Sequence, residues 1–218
     1  MRGLAGLLDD IIRAVSVRMG FTTKSVNEVV RDYNDALLRF AFDALNGRMD
    51  PTDFARAHKA LIRKTGPDAY KEGMREGGID DPDEELADDD EATIESWTDE
   101  QVDYVDDFAD WLAESDNNED IRRQLTARVD LWTNAVQTLG ALGRASAKGD
   151  PMCVWHYAPE KEHCDTCAQL DGKRHRLSWF VDRNYIPQMP GAAMDCGGYY
   201  CGCTIEDVKT GRTLLPGG

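Results

Sequence analysis

The sequence predicts an α+β protein: a mainly helical N-terminal region over residues 1–150 and a small, cysteine-rich α+β module over residues 151–218. Two observations carry that division. Apolar residues recur at three- and four-residue spacing through the first 150 positions, which is the period of a helix with one buried face. All six cysteines lie after Pro151, in short mixed segments rich in Gly, Trp and Tyr. The five Trp, seven Tyr and six Phe of the 218 residues supply bulk for a packed core, which excludes disorder throughout the chain.

In chain order, Leu4, Leu7, Leu8, Ile11, Ile12 and Val15 form the first apolar stripe, closed by Gly20. Thr22, Thr23 or Ser25 can cap a second helix, whose wide apolar face runs from Val29 through Tyr33, Leu37 and Ala41 to Ala44 before Gly47. Asp50-Pro51 reads as a cap followed by proline at the first helical position, and Phe54, Ala57, Leu61 and Ile62 line a third helix as far as Gly66-Pro67. A fourth piece, Asp68 to Arg75, ends at Gly77-Gly78. Residues 79–95 read as an exposed acidic linker. Thr98-Asp-Glu-Gln101 then matches a capping box, opening a helix with Val102, Val105, Phe108, Ala109 and Leu112 inward. After the Asp116-Asn117-Asn118 turn, a long helix spans about Asp120 to Ala147, with Leu125, Val129, Trp132, Val136 and Leu139 on its stripe. In the C-terminal module, Met152–Tyr157, Lys173–Leu177 and Cys203–Val208 read as strands, with a hairpin-type turn at Asp171-Gly172.

The net charge of -16 is unevenly placed. Residues 151–218 hold 7 basic and 8 acidic side chains, so nearly all the acidity lies in the helical region, and the Asp80–Glu91 run alone holds nine carboxylates. Such a surface repels phosphate backbones and disfavours nucleic-acid binding over the whole molecule, although a local basic patch stays compatible with it. No apolar run approaches the roughly 20 residues that a bilayer span needs, so no membrane partner is expected. Asp9 and Asp10 interrupt the N-terminal apolar stretch, and no small-residue cleavage site follows, so a secretory signal is not expected either.

Five cysteines follow the pattern Cys164-x-x-Cys167, then Cys196-Gly-Gly-Tyr-Tyr-Cys201-Gly-Cys203. A C-x-x-C turn brings two thiolates together, and a second cysteine-rich turn supplies the other ligands of a tetrahedral Zn²⁺ site. A reducing compartment favours structural zinc; disulfides formed after release, or free thiols, are the alternatives. One ion takes four sulfurs, so the expected set is Cys164, Cys167, Cys196 and one of Cys201 or Cys203. Cys153 stands apart and reads as a small core residue. His163 adjoins Cys164 as a loop residue or alternative ligand, and His58, His156 and His175 read as ordinary packed or surface histidines. No histidine is followed two positions on by Glu, as a zinc deaminase requires.

Several of these residues form a family pattern. Trp155, Cys164-x-x-Cys167 with Leu170-Asp-Gly172, Pro187 and Pro190, and Cys196-Gly-Gly-Tyr-Tyr-Cys201-Gly-Cys203 resemble the C-terminal motif block of phage head-morphogenesis proteins, the minor capsid family typified by the phage Mu F-like protein. Gly202 stands where that family usually has Arg. The helical half is similar over Leu45–Ile62 and Asp99–Leu112. The resemblance implies a structural, non-catalytic minor head protein of a tailed bacteriophage, located in the virion head or at the portal vertex after assembly in the host cytoplasm. It implies the portal or major capsid protein as partner, proximity to packaged DNA without sequence-specific binding, and cysteines that stabilise the fold. Two other classes compete with it. One is a small nuclease or toxin-like enzyme using His156, His175, Lys173, Arg174 and Arg176. The other is a zinc-dependent interaction module.

Overall fold

The computed structural model describes residues 24–157, 164–189, 192–198 and 201–215. The first expected helix, with Leu4 to Val15, lies outside them, as does His163. Among the described residues six helices come first: α1 (Val26–Leu45), α2 (Pro51–Gly77), α3 (Pro82–Glu85), α4 (Asp88–Asp103), α5 (Val105–Glu114) and α6 (Glu119–Ser146). The C-terminal part adds β1 (Met152–His156), α7 (Asp165–Leu170), β2 (Arg174–Arg176), α8 (Leu177–Val181), β3 (Thr204–Asp207) and β4 (Thr213–Leu215). The chain is therefore mainly helical, with a small antiparallel sheet of order β2-β1-β3-β4. No helix among the described residues is long and apolar enough to cross a membrane.

Helix α1 starts at Ser25 through a capping box: the Glu28 amide donates to the Ser25 hydroxyl, and the Ser25 amide donates to the Glu28 carboxylate. Its buried residues, Val26, Val29, Tyr33, Leu37, Ala41 and Leu45, are one helical stripe. Helix α2 is capped by Asp50, which accepts from the Thr52 amide at 2.8 Å, and it begins with proline as expected. It does not stop at Gly66-Pro67, where the sequence predicts an end. It runs on to Gly77, so the piece from Asp68 to Arg75 is its second half. Proline removes one helical hydrogen bond, but the site is held by packing: Gly66 is buried under the Trp97 indole, where an added Cβ would lie 2.7 Å from the ring. Tertiary contact overrides the local stop signal.

The tightest helix pair is α2 against α6. A Cβ on Gly73 would meet the Gly140 carbonyl oxygen at 1.9 Å, and one on Gly143 would meet the Tyr70 carbonyl oxygen at 2.1 Å. These glycines let the two backbones touch, with α1 packed beside both.

The acidic run is folded rather than an exposed linker. Asp81 accepts from the Asp83 amide to cap α3, and Asp88, Asp89, Asp90 and Glu91 occupy the first turn of α4, where carboxylates favour a helix N-terminus. Asp90 is buried. It accepts from the Tyr70 hydroxyl of α2 at 2.5 Å, from the Ser146 hydroxyl of α6 at 2.6 Å and from the Ala87 amide at 3.1 Å, so it joins three helices. Most of its acidic neighbours are exposed, as the sequence suggests. The Thr98 capping box is also replaced: Thr98 lies inside α4, its hydroxyl donates to the Ile94 carbonyl, and Gln101 is buried. The helix break falls instead at Tyr104, after which Val105, Phe108, Ala109 and Leu112 turn inward as expected.

In the sheet, β1 pairs with both β2 and β3. Cys153, Trp155 and Ile205 face the core, while Met152, His156 and Arg174 face outward, the alternation of a sheet with one wet side. Asp171-Gly172 closes α7 and leads into β2 rather than joining two adjacent strands directly.

Candidate metal centre

The first sulfur pair is built by the start of α7. Cys164 is its N-cap, the Cys167 amide donates to the Cys164 sulfur at 3.4 Å, and the two sulfurs lie 3.3 Å apart. The second cysteine stretch is fastened to the first by Thr166 and Asp195. The Thr166 amide and hydroxyl donate to the Asp195 carboxylate at 2.9 and 2.7 Å. Those bonds hold the Asp195 carboxyl below its ordinary range. Gly198 takes φ +76 beside the Met189 carbonyl oxygen, where a Cβ would lie 1.9 Å away. No other residue fits that turn.

A third connection comes from Gln188, buried and at φ 60. Its amide nitrogen donates to the Cys201 carbonyl, and its amide oxygen accepts from Asn134 of α6 at 3.0 Å. The cysteine loop is thereby tied to the long helix by one side chain.

The sulfurs gather into two triads that share Cys167: Cys164, Cys167 and Cys196, then Cys167, Cys201 and Cys203, with all ligand atoms of each triad within 4.8 Å of one another. Cys167 and Cys201 are 3.9 Å apart. A tetrahedral ion with metal–sulfur bonds of about 2.3 Å requires sulfurs about 3.8 Å apart, so the cluster is already near that spacing. The five cysteines named from the sequence therefore form a cluster that can hold a metal ion. Both Cys201 and Cys203 face Cys167, so the C-x-C spacing does not turn one of them away. Cys167, Cys201 and Cys203 are buried, and Cys164 and Cys196 half-buried.

Burial pushes the Cys167 thiol up, with the neighbouring Cys164 sulfur adding to it. The hydrogen bond with Cys203 raises Cys201, and burial adds to that shift. Burial also acts on Cys164, but the Cys167 amide and thiol and the Cys196 contacts outweigh it and bring Cys164 below the ordinary thiol value. Cys153 is separate: its sulfur donates to the Pro151 carbonyl, and burial pushes its thiol up to about 12, the behaviour of a core residue.

The three described histidines do not converge. His58 is fully buried in the helical core, where its Nε2 shares a 3.0 Å hydrogen bond with the Tyr33 hydroxyl. His175 sits opposite Cys153 on the inner face of the sheet, whereas His156 lies on the outer face, 3.6 Å from the Glu206 carboxylate. A nuclease site drawn from both would have a sheet between its parts.

A cleft of about 700 Å³ opens between α4, α6 and α8, away from the sulfurs. Leu139, Leu142, Leu177 and Ile186 contribute to its apolar lining, and Asp89, Asp90, Glu100, Asp150 and Asp182 are its carboxylates. Burial raises the Glu100 carboxyl above its ordinary value, partly offset by a hydrogen bond from Asn184.

Sequence reading missed the Thr166–Asp195 clasp and the Asn134–Gln188–Cys201 bridge. No local pattern signals either, because each joins residues 29 or more positions apart or depends on an unusual backbone angle. Comparison with protein-family models, curated proteins and solved structures finds no match for this chain.

Proposed function

We propose that this chain is a structural minor head protein of a tailed bacteriophage, located at the head shell or portal vertex, whose cysteine cluster binds one structural zinc ion. The observation that carries the reading is the cluster itself. The cysteines of the resemblance to head-morphogenesis proteins lie side by side, and among the described residues their triads contain sulfur alone, without the carboxylate or imidazole that a catalytic zinc site usually includes. Thiolate-only donors favour zinc over hard cations such as magnesium or calcium. In this reading Cys164, Cys167 and Cys196, with Cys201 or Cys203, hold the ion, Gln188 fixes the loop on α6, and the helical faces dock onto the portal or major capsid protein. The chain has no catalytic role here. Its acidic helical half keeps it from being trapped on packaged DNA.

The test is protein composition and metal content of purified heads from the producing phage. The chain should sediment with DNA-filled heads and portal protein, and the purified chain should carry about one zinc. Heads that lack the chain would overturn the virion assignment. A folded chain without metal would overturn the zinc assignment independently. Changing Cys167, the sulfur common to both triads, to Ser should abolish zinc binding, whereas Cys153→Ser should leave it intact.

A further inference from the structure

The edge strand β2 and the short helix α8 border a second, shallower groove of about 450 Å³, separate from the sulfur cluster and from the acidic cleft. Its polar and aromatic lining is Gln169, Lys173, His175, Trp179, Arg183 and Tyr185, with no carboxylate. The His175 imidazole and the Trp179 indole are stacked, with centroids 3.7 Å apart and planes 11° from parallel. The Arg183 guanidinium lies over the same indole at 4.4 Å, and the Tyr185 ring is 5.9 Å from it.

The groove is locally basic in a chain that is acidic overall. The chain has 41 acidic and 25 basic residues, and Lys24, Lys59, Lys71, Arg75 and Arg144 of the helical half each lie against a carboxylate. Lys173, Arg174, Arg176 and Arg183 form no ion pair among the described residues. Lys173 and Arg183 border the groove, and Arg174 and Arg176 lie on the outer face of the same edge strand. The cations therefore surround one free sheet edge. Planar side chains in a stack, flanked by unpaired cations, are the elements with which proteins hold a base and its phosphate.

We propose that this groove binds single-stranded nucleic acid through a nucleotide unit: the base extends the Arg183–Trp179–His175 stack beside Tyr185, Lys173 and the edge of the Arg183 guanidinium hold the phosphate, and the Gln169 amide faces the base edge. Arg174 and Arg176 carry the neighbouring phosphates around the strand edge. A duplex is disfavoured, because its bases are already stacked and the acidic helical half repels a second backbone. The proposal rests on the groove alone, so it stands or falls separately from the head-protein reading.

The experiment titrates a fluorescein-labelled oligothymidylate with the full, zinc-loaded chain at low and at physiological salt, following anisotropy. Wild type is compared with Lys173→Gln/Arg183→Gln and with Lys209→Gln/Arg212→Gln, a charge-matched control on the β3–β4 turn. The groove variant should bind at least about tenfold more weakly, since it loses both cations that hold the phosphate. Its salt dependence should be shallower by about 1.4 in slope, from roughly 0.7 for each of two phosphates. The control should stay within about twofold, and thermal melting of both variants should match wild type, because the changed side chains are exposed. No measurable binding by wild type, or equal weakening in both variants, would overturn the proposal. So would equal affinity for a duplex of the same length, or displacement by thymidine monophosphate at the same nucleotide concentration, which would mark a site for free nucleotides.

Discussion

At the residue scale, the polar groups buried in the helical core explain more than their apolar neighbours do. His58 sits among Phe54, Phe108 and Trp132, and burial lowers its pKa to about 3. The folded state keeps this imidazole neutral, while the unfolded chain protonates it near pH 6.5. Below that value the unfolded state binds a proton that the folded state refuses, so stability falls with pH between about 6.5 and 3, by up to about 1.4 kcal/mol per pH unit. Urea unfolding across that range should give a steeper acid loss for wild type than for His58→Leu, and identical slopes would contradict the assignment. Asp90 is the second such residue. Asp90→Ala should destabilise by about 2–3 kcal/mol, because the Tyr70 and Ser146 hydroxyls lose their acceptor inside the fold. Glu84→Gln, in the same acidic run but exposed, should stay within about 0.5 kcal/mol. Thermal melting of the two variants separates a carboxylate that joins helices from one that only faces water.

At the element scale, the α2–α6 contact decides the architecture of the helical half. Both helices carry glycine where host–guest propensity disfavours it by about 1 kcal/mol relative to alanine. If propensity governed, Gly143→Ala would stabilise the chain. The Tyr70 carbonyl oxygen leaves no room for the methyl group, so the substitution should instead lower stability by about 1–3 kcal/mol, read as a drop in melting temperature. The same kind of contact carries α2 through Gly66-Pro67. The stripe of helix α1 from Val29 through Tyr33, Leu37 and Ala41 was legible because its spacing is local, whereas its cap was one of three candidates, of which the structure uses Ser25. The long α6 was legible within a residue at each end for the same reason. The Thr98 box was misleading: a cap motif works only if the chain enters from outside the helix, and here α4 already extends back to Asp88.

At the scale of the whole molecule, the buried residues of the bundle and of the sheet belong to one hydrophobic cluster, with β4 packed along α6. The Asn134–Gln188–Cys201 bridge adds a polar connection between them. With the proposed zinc bound, a chelator should therefore raise hydrogen exchange first in residues 164–170 and 192–198, while the α2–α6 core keeps its protection until the global transition. Simultaneous loss of protection in both would show that the metal centre supports the entire fold. The sequence by itself determined the helical periodicity, the change of texture at Pro151, the five sulfurs and the concentration of charge in the first 150 residues. Those are properties of residue type and spacing along the chain. Only the tertiary structure decided that the acidic run is helical with Asp90 at a three-helix joint, that α2 passes through its proline, and that Cys167 is shared by two triads. It also decided that Trp179, His175 and Arg183 stack beside unpaired cations. Each of these depends on which distant surfaces meet, and close packing selects that pairing over local preference.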